Sequence, residues 1–382
     1  MTLPRLHQHE WMDADVAAFR DQVRRYIGGE LAPNVEAWRR QGHIPREVWQ
    51  RFGAMGFLLP EMPEAYGGAG VSAAWQLVVQ DELTRAEIPA VSAVHSISAH
   101  YLLDYGTDAQ RQRWLPGLVS GEHFAAIGLT EPGCGSDLKA LRTKARREGD
   151  HYVIDGAKTF ITSGSTCSLL VLACRTGGEG SKGISLLVLE TEGLPGFRVG
   201  RRLEKLGLHA SDTCELYFDN VRVPAANLLG EVEGEGFVQL MSQLPYERLL
   251  IAVPAAASIE RALELTVEHT RQRKAFGQTL ADFQNTRFKL AEVATVAHVV
   301  RSFVNDCIQR LVDGRLDDPA AYMAKWWCTE QQCQVVDTCL QLFGGYGYMT
   351  EYPIARMYAD ARVQRIYGGA NEVMKDLIAR TL

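Results

Sequence analysis

The chain has 382 residues, 46% of them hydrophobic and 23% charged, and a mean hydropathy of −0.12. That is the composition of a globular protein with room for two or three domains. A net charge of −6 and a pI near 6.0 exclude a dedicated nucleic-acid binder. No apolar run nears the roughly 18 to 20 residues of a membrane helix, and the longest, such as Ser168 to Cys174, are strand-length.

His7 and His9 near the start read as a solvated tail, although two histidines so spaced could clasp a metal. The first residues lack the charged, apolar, then small-residue layout of a signal peptide. Eight cysteines (Cys134, Cys167, Cys174, Cys214, Cys307, Cys328, Cys333 and Cys339) form no C-x-x-C pair. Neither a zinc site nor a thioredoxin-like motif is supported, and reduced thiols in a cytoplasmic protein are expected.

Up to about Glu122 the periodicity is helical, interrupted by turn-rich stretches such as Pro63 to Gly70. Ala73 to Arg85, with Leu77, Val78 and Leu83, predicts a helix interior. From about Phe124 to Leu229 the period shortens. Tyr152 to Gly156 reads as a strand closed by a turn, Leu169 to Ala173 and Ile184 to Leu189 as apolar strands, and Glu215 to Phe218 and Val221 to Val223 as two more. Short strands separated by glycine-rich turns predict a small sandwich or barrel. From about Gly236 long helices return. Phe283, Leu290, Val293, Ala297, Val300, Val304, Ile308 and Leu311 form one stripe, and Asp317-Asp318-Pro319 caps the next helix, which stops at Gly344-Gly345. Long antiparallel helices make a bundle.

Four segments could carry chemistry. In Leu129 to Asp137 (LTEPGCGSD), glycines permit close backbone approach to a ligand and Thr130 and Ser136 add hydroxyls, though an ordinary glycine-rich turn reads the same way. It is not a G-x-G-x-x-G loop, so a Rossmann reading fails. In Lys158 to Gly164, strand alternation puts Phe160 and Thr162 on one face, suited either to a flat heterocycle or to a core edge. Basic residues in Arg271 to Gly277 could serve a ligand or merely complement a helix end. Gln341 to Tyr348 is a glycine-stopped helix end that needs no function of its own.

In this order and spacing, and with Pro63-Glu64-Ala65-Tyr66-Gly67-Gly68 ahead of them, the segments resemble the acyl-CoA dehydrogenase family over essentially the whole chain. The resemblance implies an α+β fold. It would have an N-terminal α-helical domain (1–123), a central β-barrel-like domain (124–231) and a C-terminal four-helix bundle (232–382), enclosing FAD and an acyl chain. It implies that Ile127, Leu129, Thr130, Gly135 and Ser136 contact the flavin and its pyrophosphate, with Phe160, Ile161 and Thr162 against the ring. Many members have tryptophan at the Phe160 position; phenylalanine is similar to the long-chain branch. Arg273, Gln284, Gln341, Gly344 and Gly345 would reach the FAD of a neighbouring subunit, which implies a homo-oligomer, a tetramer, and Phe276 would also contact FAD. Ala370 and Glu372 would also lie on FAD, although relatives usually have threonine at the Ala370 position. Ser136 and Ser181 match positions near CoA, and Tyr246, Arg248, Tyr367, Gly368 and Gly369 match positions near the substrate.

Most members carry their catalytic glutamate in a C-terminal Tyr-Glu-Gly-Thr loop. Here those residues are Tyr367-Gly368-Gly369-Ala370, and the glutamate is missing. Leu244-Pro245-Tyr246-Glu247-Arg248-Leu249 resembles instead the helix on which the long-chain and isovaleryl branches carry theirs, so Glu247 is the expected base. A carboxyl facing an apolar channel should have its pKa raised. The Gly368 N–H should still donate to the thioester carbonyl. The expected activity is dehydrogenation of medium-chain, long-chain or branched acyl-CoA, with electrons passed to an electron-transfer flavoprotein. The rivals are a dehydrogenase of aminoacyl groups on a carrier protein and a non-catalytic paralogue that binds FAD or acyl-CoA.

Overall fold

The computed structural model describes residues 9–89 and 91–382; His7 lies outside them. Asp13 opens α1 (Ala14–Tyr26), its carboxylate accepting the Val16 N–H at 2.8 Å. Then come α2 (Val35–Gln41), α3 (Arg46–Ala54), α4 (Ala74–Arg85), α5 (Val91–Tyr105) and α6 (Asp108–Ser120). The last starts in a reciprocal cap between Thr107 and Gln110 and ends at Gly121 in the left-handed region. The predicted interior of α4 is buried at Leu77, Val78 and Leu83, and so are its polar Gln76, Gln80, Asp81 and Glu82. Helices surround α4, so its carboxylates require partners. Arg20 of α1 supplies one at 2.8 Å from Asp81.

The middle region is one seven-stranded sheet: β1 (Ala125–Gly128), β2 (Lys144–Glu148), β3 (His151–Thr162), β4 (Leu169–Arg175), β5 (Ile184–Glu190), β6 (Phe197–Arg202) and β7 (Thr213–Pro224). Its order is β1-β4-β2-β3-β7-β6, with β5 added on β4. β4 shows why the sequence there is apolar without alternation. Leu169, Val171 and Ala173 join the core shared with the helices, while Leu170, Leu172 and Cys174 fill the sheet's own core. Both faces are covered, so both parities are apolar.

The expectation of uniformly short strands is corrected here, because β3 and β7 each run for 12 residues. The turn expected at Gly156 is a bulge within β3, with φ +152°. A Cβ at Gly156 would fall 2.6 Å from Thr143 Oγ1, so glycine serves a close approach and not a chain reversal.

α7 (Gly236–Gln272) runs 37 residues straight through Pro245 and Pro254. A small hairpin, β8 (Lys274–Ala275) and β9 (Gln278–Thr279), turns the chain into α8 (Gln284–Val312). α9 (Asp318–Phe343), α10 (Pro353–Ala361) and α11 (Asn371–Ala379) complete the helical C-terminal region. The predicted α8 stripe is buried at Val293, Ala297, Val300, Val304 and Ile308, and Asp317 caps α9 through the Ala320 N–H at 2.9 Å. Between α4, α7 and α8 lies a buried ion network in which Arg301 meets both Asp81 and Glu260 at 2.7 Å. All eight cysteines are free thiols. No helix among the described residues is long and apolar enough to cross a membrane.

Candidate active site

Glu247 lies in the first half of α7 with a half-buried side chain. Burial pushes its carboxyl up to about 7, against the opposing effects of a hydrogen bond from Tyr101 and the charge of Arg248. The Tyr101 hydroxyl of α5 donates to Glu247 Oε1 at 2.5 Å. Arg248 is buried with its guanidinium 4.3 Å from the Tyr322 ring, while its Nε and Nη1 have no protein partner. A buried donor left open in this way is suited to a polar ligand group.

The loop from Tyr367 to Ala370 lies against the same helix face. A Cβ on Gly368 would collide with Ile251 Cδ1, and Ile251 is one turn beyond Glu247 on α7. Gly368, at φ +60°, therefore brings backbone against α7 where a Cβ would meet Ile251, while a Cβ on Gly369, at φ +88°, would meet Met374 of α11. The loop is fastened from α9. Lys325, fully buried, donates to the Gly369 carbonyl at 2.6 Å and to Asn371 Oδ1 at 2.9 Å, and burial pulls its ammonium down to about 8.

A second cluster forms where the sheet meets the segment after β1. The Thr159 N–H donates to the Thr130 carbonyl at 2.9 Å, and Lys158 donates to the Leu129 carbonyl at 3.0 Å and to Glu131 at 2.8 Å. Glu131 in turn accepts the N–H groups of Arg142 and Thr143 at 2.7 and 2.9 Å. Burial would raise the Glu131 pKa, but the Lys158 ammonium and these hydrogen bonds hold it below the ordinary carboxylate range. The buried pair thus freezes the segment whose outer side presents half-buried Ile127, Leu129 and Thr130 and exposed Gly135 and Ser136. Beside it Phe160 is 66% exposed at φ +59°. The expected strand alternation from Phe160 to Thr162 is corrected in its cause, because a register shift lies between Lys158 and Ile161. Phe160 and Thr162 are still the exposed and half-buried neighbours of buried Ile161, whose side chain belongs to the sheet core and not to a ligand face.

The remaining candidates lie elsewhere. Arg273 ends α7 with its guanidinium 5.5 Å from the Tyr346 ring, and Phe276 stands 96% exposed at the tip of the β8–β9 hairpin. Gln284, Gln341, Gly344 and Gly345 are exposed around the same end of the bundle. Among the described residues, no hydrogen bond or ion pair links that end to the β1–β3 cluster. Ser181 is half-buried at the start of a 3₁₀ turn, and Ala370 and Glu372 flank the start of α11. Tyr246, expected beside the substrate, directly precedes Glu247 on α7. Its ring is in the core, 4.4 Å from the His100 ring, and its hydroxyl meets Ser96 Oγ at 2.8 Å, so it locks α7 to α5. Tyr101 and Lys325 were absent from the sequence candidates; their partners are 146 and 44 or more residues away, and no local motif announces them.

Family models describing the N-terminal, middle and C-terminal domains of acyl-CoA dehydrogenases match residues 13–122, 126–221 and 234–382. The chain is 44% identical to the rat mitochondrial long-chain specific acyl-CoA dehydrogenase over 95% of its own length and 85% of the relative's. The crystal structure of an acyl-CoA dehydrogenase from Geobacillus kaustophilus superposes with a TM-score of 0.95 at 43% identity, covering 98% of this chain and 99% of that one. A glutaryl-CoA dehydrogenase from Mycobacterium smegmatis, solved in complex with FADH2, gives 0.91 at 28% identity and covers 97% and 95%. Fold and site therefore define an FAD-dependent oxidoreductase acting on acyl-CoA. The chain belongs to the acyl-CoA dehydrogenase family. Its residues fit the cofactor. The exposed Phe160 ring offers a surface for a flat heterocycle, and Cβ atoms built on Gly133, Gly135, Gly344 and Gly345 would meet nothing within 4 Å, which leaves backbone open to a phosphate.

Proposed function

We propose that Glu247 is the base that takes the α-proton of a medium-chain, long-chain or branched acyl-CoA, and that the electrons pass on to an electron-transfer flavoprotein. FAD supplies the acceptor for the hydride that leaves the β-carbon, so loss of one proton and one hydride yields the 2-enoyl thioester. Glu247 receives the proton as a carboxylate. With a pKa of about 7 it is both present in that form at neutral pH and basic enough to bind the proton. The Gly368 N–H donates to the thioester carbonyl oxygen as negative charge develops there, and Lys325 holds that loop in place. Arg248 follows Glu247 on α7 and its charge acts on the carboxyl, and its open Nε and Nη1 donors can meet a polar group of the substrate.

The observation that carries this reading is a desolvated carboxyl on α7 opposite a loop that has no acid of its own. The small Gly368 and Gly369 beside the acyl group support a substrate longer or bulkier than butyryl-CoA. The exposed Phe276 and Arg273 support a cofactor site completed by a second chain, and with it a homotetramer.

The test is Glu247→Gln, which keeps the size and the polar contacts but removes the proton acceptor. The variant should retain its flavin and bind acyl-CoA. Its anaerobic bleaching by dodecanoyl-CoA should slow by roughly 100 to 10,000-fold. Bleaching at the wild-type rate would assign the base elsewhere. In the wild type, the rate should rise with pH about a midpoint near 7, as Glu247 ionises.

A further inference from the structure

Tyr101 is 1% exposed, and among the described residues the only hydrogen bond of its hydroxyl is the one to Glu247 Oε1. Burial, and then the neighbouring Glu247 charge, push the Tyr101 phenol well above its ordinary value, so it stays protonated and is always the donor. A phenol taken out of water with one partner has one use for its proton. The opposite oxygen, Glu247 Oε2, has no hydrogen-bond partner among the described residues.

We propose that Tyr101 is the positioning residue of the base: it holds Glu247 by Oε1, favours the carboxylate over the acid, and leaves Oε2 as the oxygen that receives the substrate's α-proton. This rests on the reading of Glu247 given above and adds to it which oxygen acts and what aims it. In the step, the substrate C–H bond breaks and an O–H bond forms at Oε2. The C–H electron pair stays with the substrate to become part of the new double bond as the β-hydride departs to FAD. Tyr101 keeps its own proton throughout and continues to donate to Oε1, more weakly once the charge is gone.

Few other groups compete for this role. On α7 the neighbour is Arg248, which is itself engaged with Tyr322 and Asp318 of α9 and with Lys325 nearby. On α5 Tyr105 backs Tyr101, and from the C-terminal loop the titratable side chain is Tyr367. Arg248 acts on the carboxyl through charge alone; Tyr101 is the group that also fixes its rotamer. A base held within a fraction of an ångström is worth more than one free to turn, since a displacement of about 1 Å costs roughly 100-fold.

The experiment uses the flavin-loaded enzyme and follows anaerobic bleaching by dodecanoyl-CoA as a function of pH in wild type, Tyr101→Phe, Tyr101→Gln and Glu247→Gln. Tyr101→Phe removes one oxygen and leaves the ring packing. Without the donor the acid form gains, so the midpoint should move up by about one pH unit and the rate well below it should fall about tenfold. The alkaline plateau should fall as well, by up to about 100-fold, because the carboxylate has lost the hydrogen bond that fixes its rotamer, and the tenfold loss comes on top of this. Tyr101→Gln, which offers an amide donor, should give an intermediate midpoint and keeps the question open to measurement if the phenylalanine variant loses flavin. An unchanged midpoint in both variants, or an equal loss at every pH, overturns the proposal while leaving Glu247 as base. Wild-type bleaching by Glu247→Gln overturns the base itself, so the two failures are told apart.

Discussion

Gly368 and Ile251 constrain each other in a way that bears on where a base can sit. Most of the family, by resemblance, carries glutamate at the position of Gly368, yet here φ is +60° and any Cβ would strike Ile251 Cδ1. Transplanting the carboxyl as Glu247→Gly with Gly368→Glu should therefore remain near the level of Glu247→Gln. Adding Ile251→Ala should recover part of the rate, because the obstructing atom is the far end of a side chain and not backbone. Bleaching rates of the double and triple variants decide it: full recovery by the double variant would show that the loop and Ile251 adjust freely. Glu247 was legible in the sequence because two local facts converged, a Glu-Arg-Leu run and a loop lacking its acid. Tyr101 was not, because nothing within Val91–Tyr105 distinguishes it from other apolar helix residues until α5 is set against α7.

The same asymmetry holds for whole elements. The α8 stripe and the Asp317 cap could be read directly, since helix period and capping chemistry are local. The Gly156 bulge could not, because a glycine that ends a strand and one that lets Thr143 approach look alike in one dimension. Nor could the fastening of α5, α6 and β1 around His95. Its Nδ1 accepts the Ala125 N–H at 3.1 Å, and its Nε2 bonds the Leu118 carbonyl at 2.9 Å. With the ring stacked 4.6 Å from Phe124, this fixes a neutral imidazole. Burial brings its pKa down to about 4. The unfolded chain, with an ordinary histidine near 6.5, binds the proton first, so stability from His95 is present above that value and is lost as pH falls toward 4. Lowering the pH from 6.5 to 5 should cost the wild type about 2 kcal/mol through this group alone. His95→Gln should be less stable at pH 7.5, but its loss over the acidic interval should be smaller by about that amount. Urea midpoints at several pH values check this, and parallel pH curves for the two proteins would show that His95 does not carry the effect.

At the scale of the whole molecule, one end of the bundle presents more apolar surface than a lone chain needs. Phe276, at φ +52° on the tip of the β8–β9 hairpin, is 96% exposed, and exposed Tyr346 and Tyr348 lie after α9. A rigid hairpin that displays an aromatic ring next to an arginine is a surface shaped to be covered. Arg273 already leans on Tyr346 within the chain, so its loss would disturb both the helix end and whatever docks there. Arg273→Ala and Phe276→Ser should each lower FAD retained on gel filtration and shift the assembly, a homotetramer on our reading, toward smaller species. The two losses should track one another, because on that reading the flavin site is completed by a second chain. Adding FAD should drive re-association, since a ligand that binds only the assembled form favours it by mass action. Flavin content from the absorbance ratio, together with mass by light scattering, reads both effects in one sample. Full flavin retention in a smaller species would place the whole cofactor site within one chain. An intact assembly that loses flavin would leave the hairpin as a cofactor contact without a role in association.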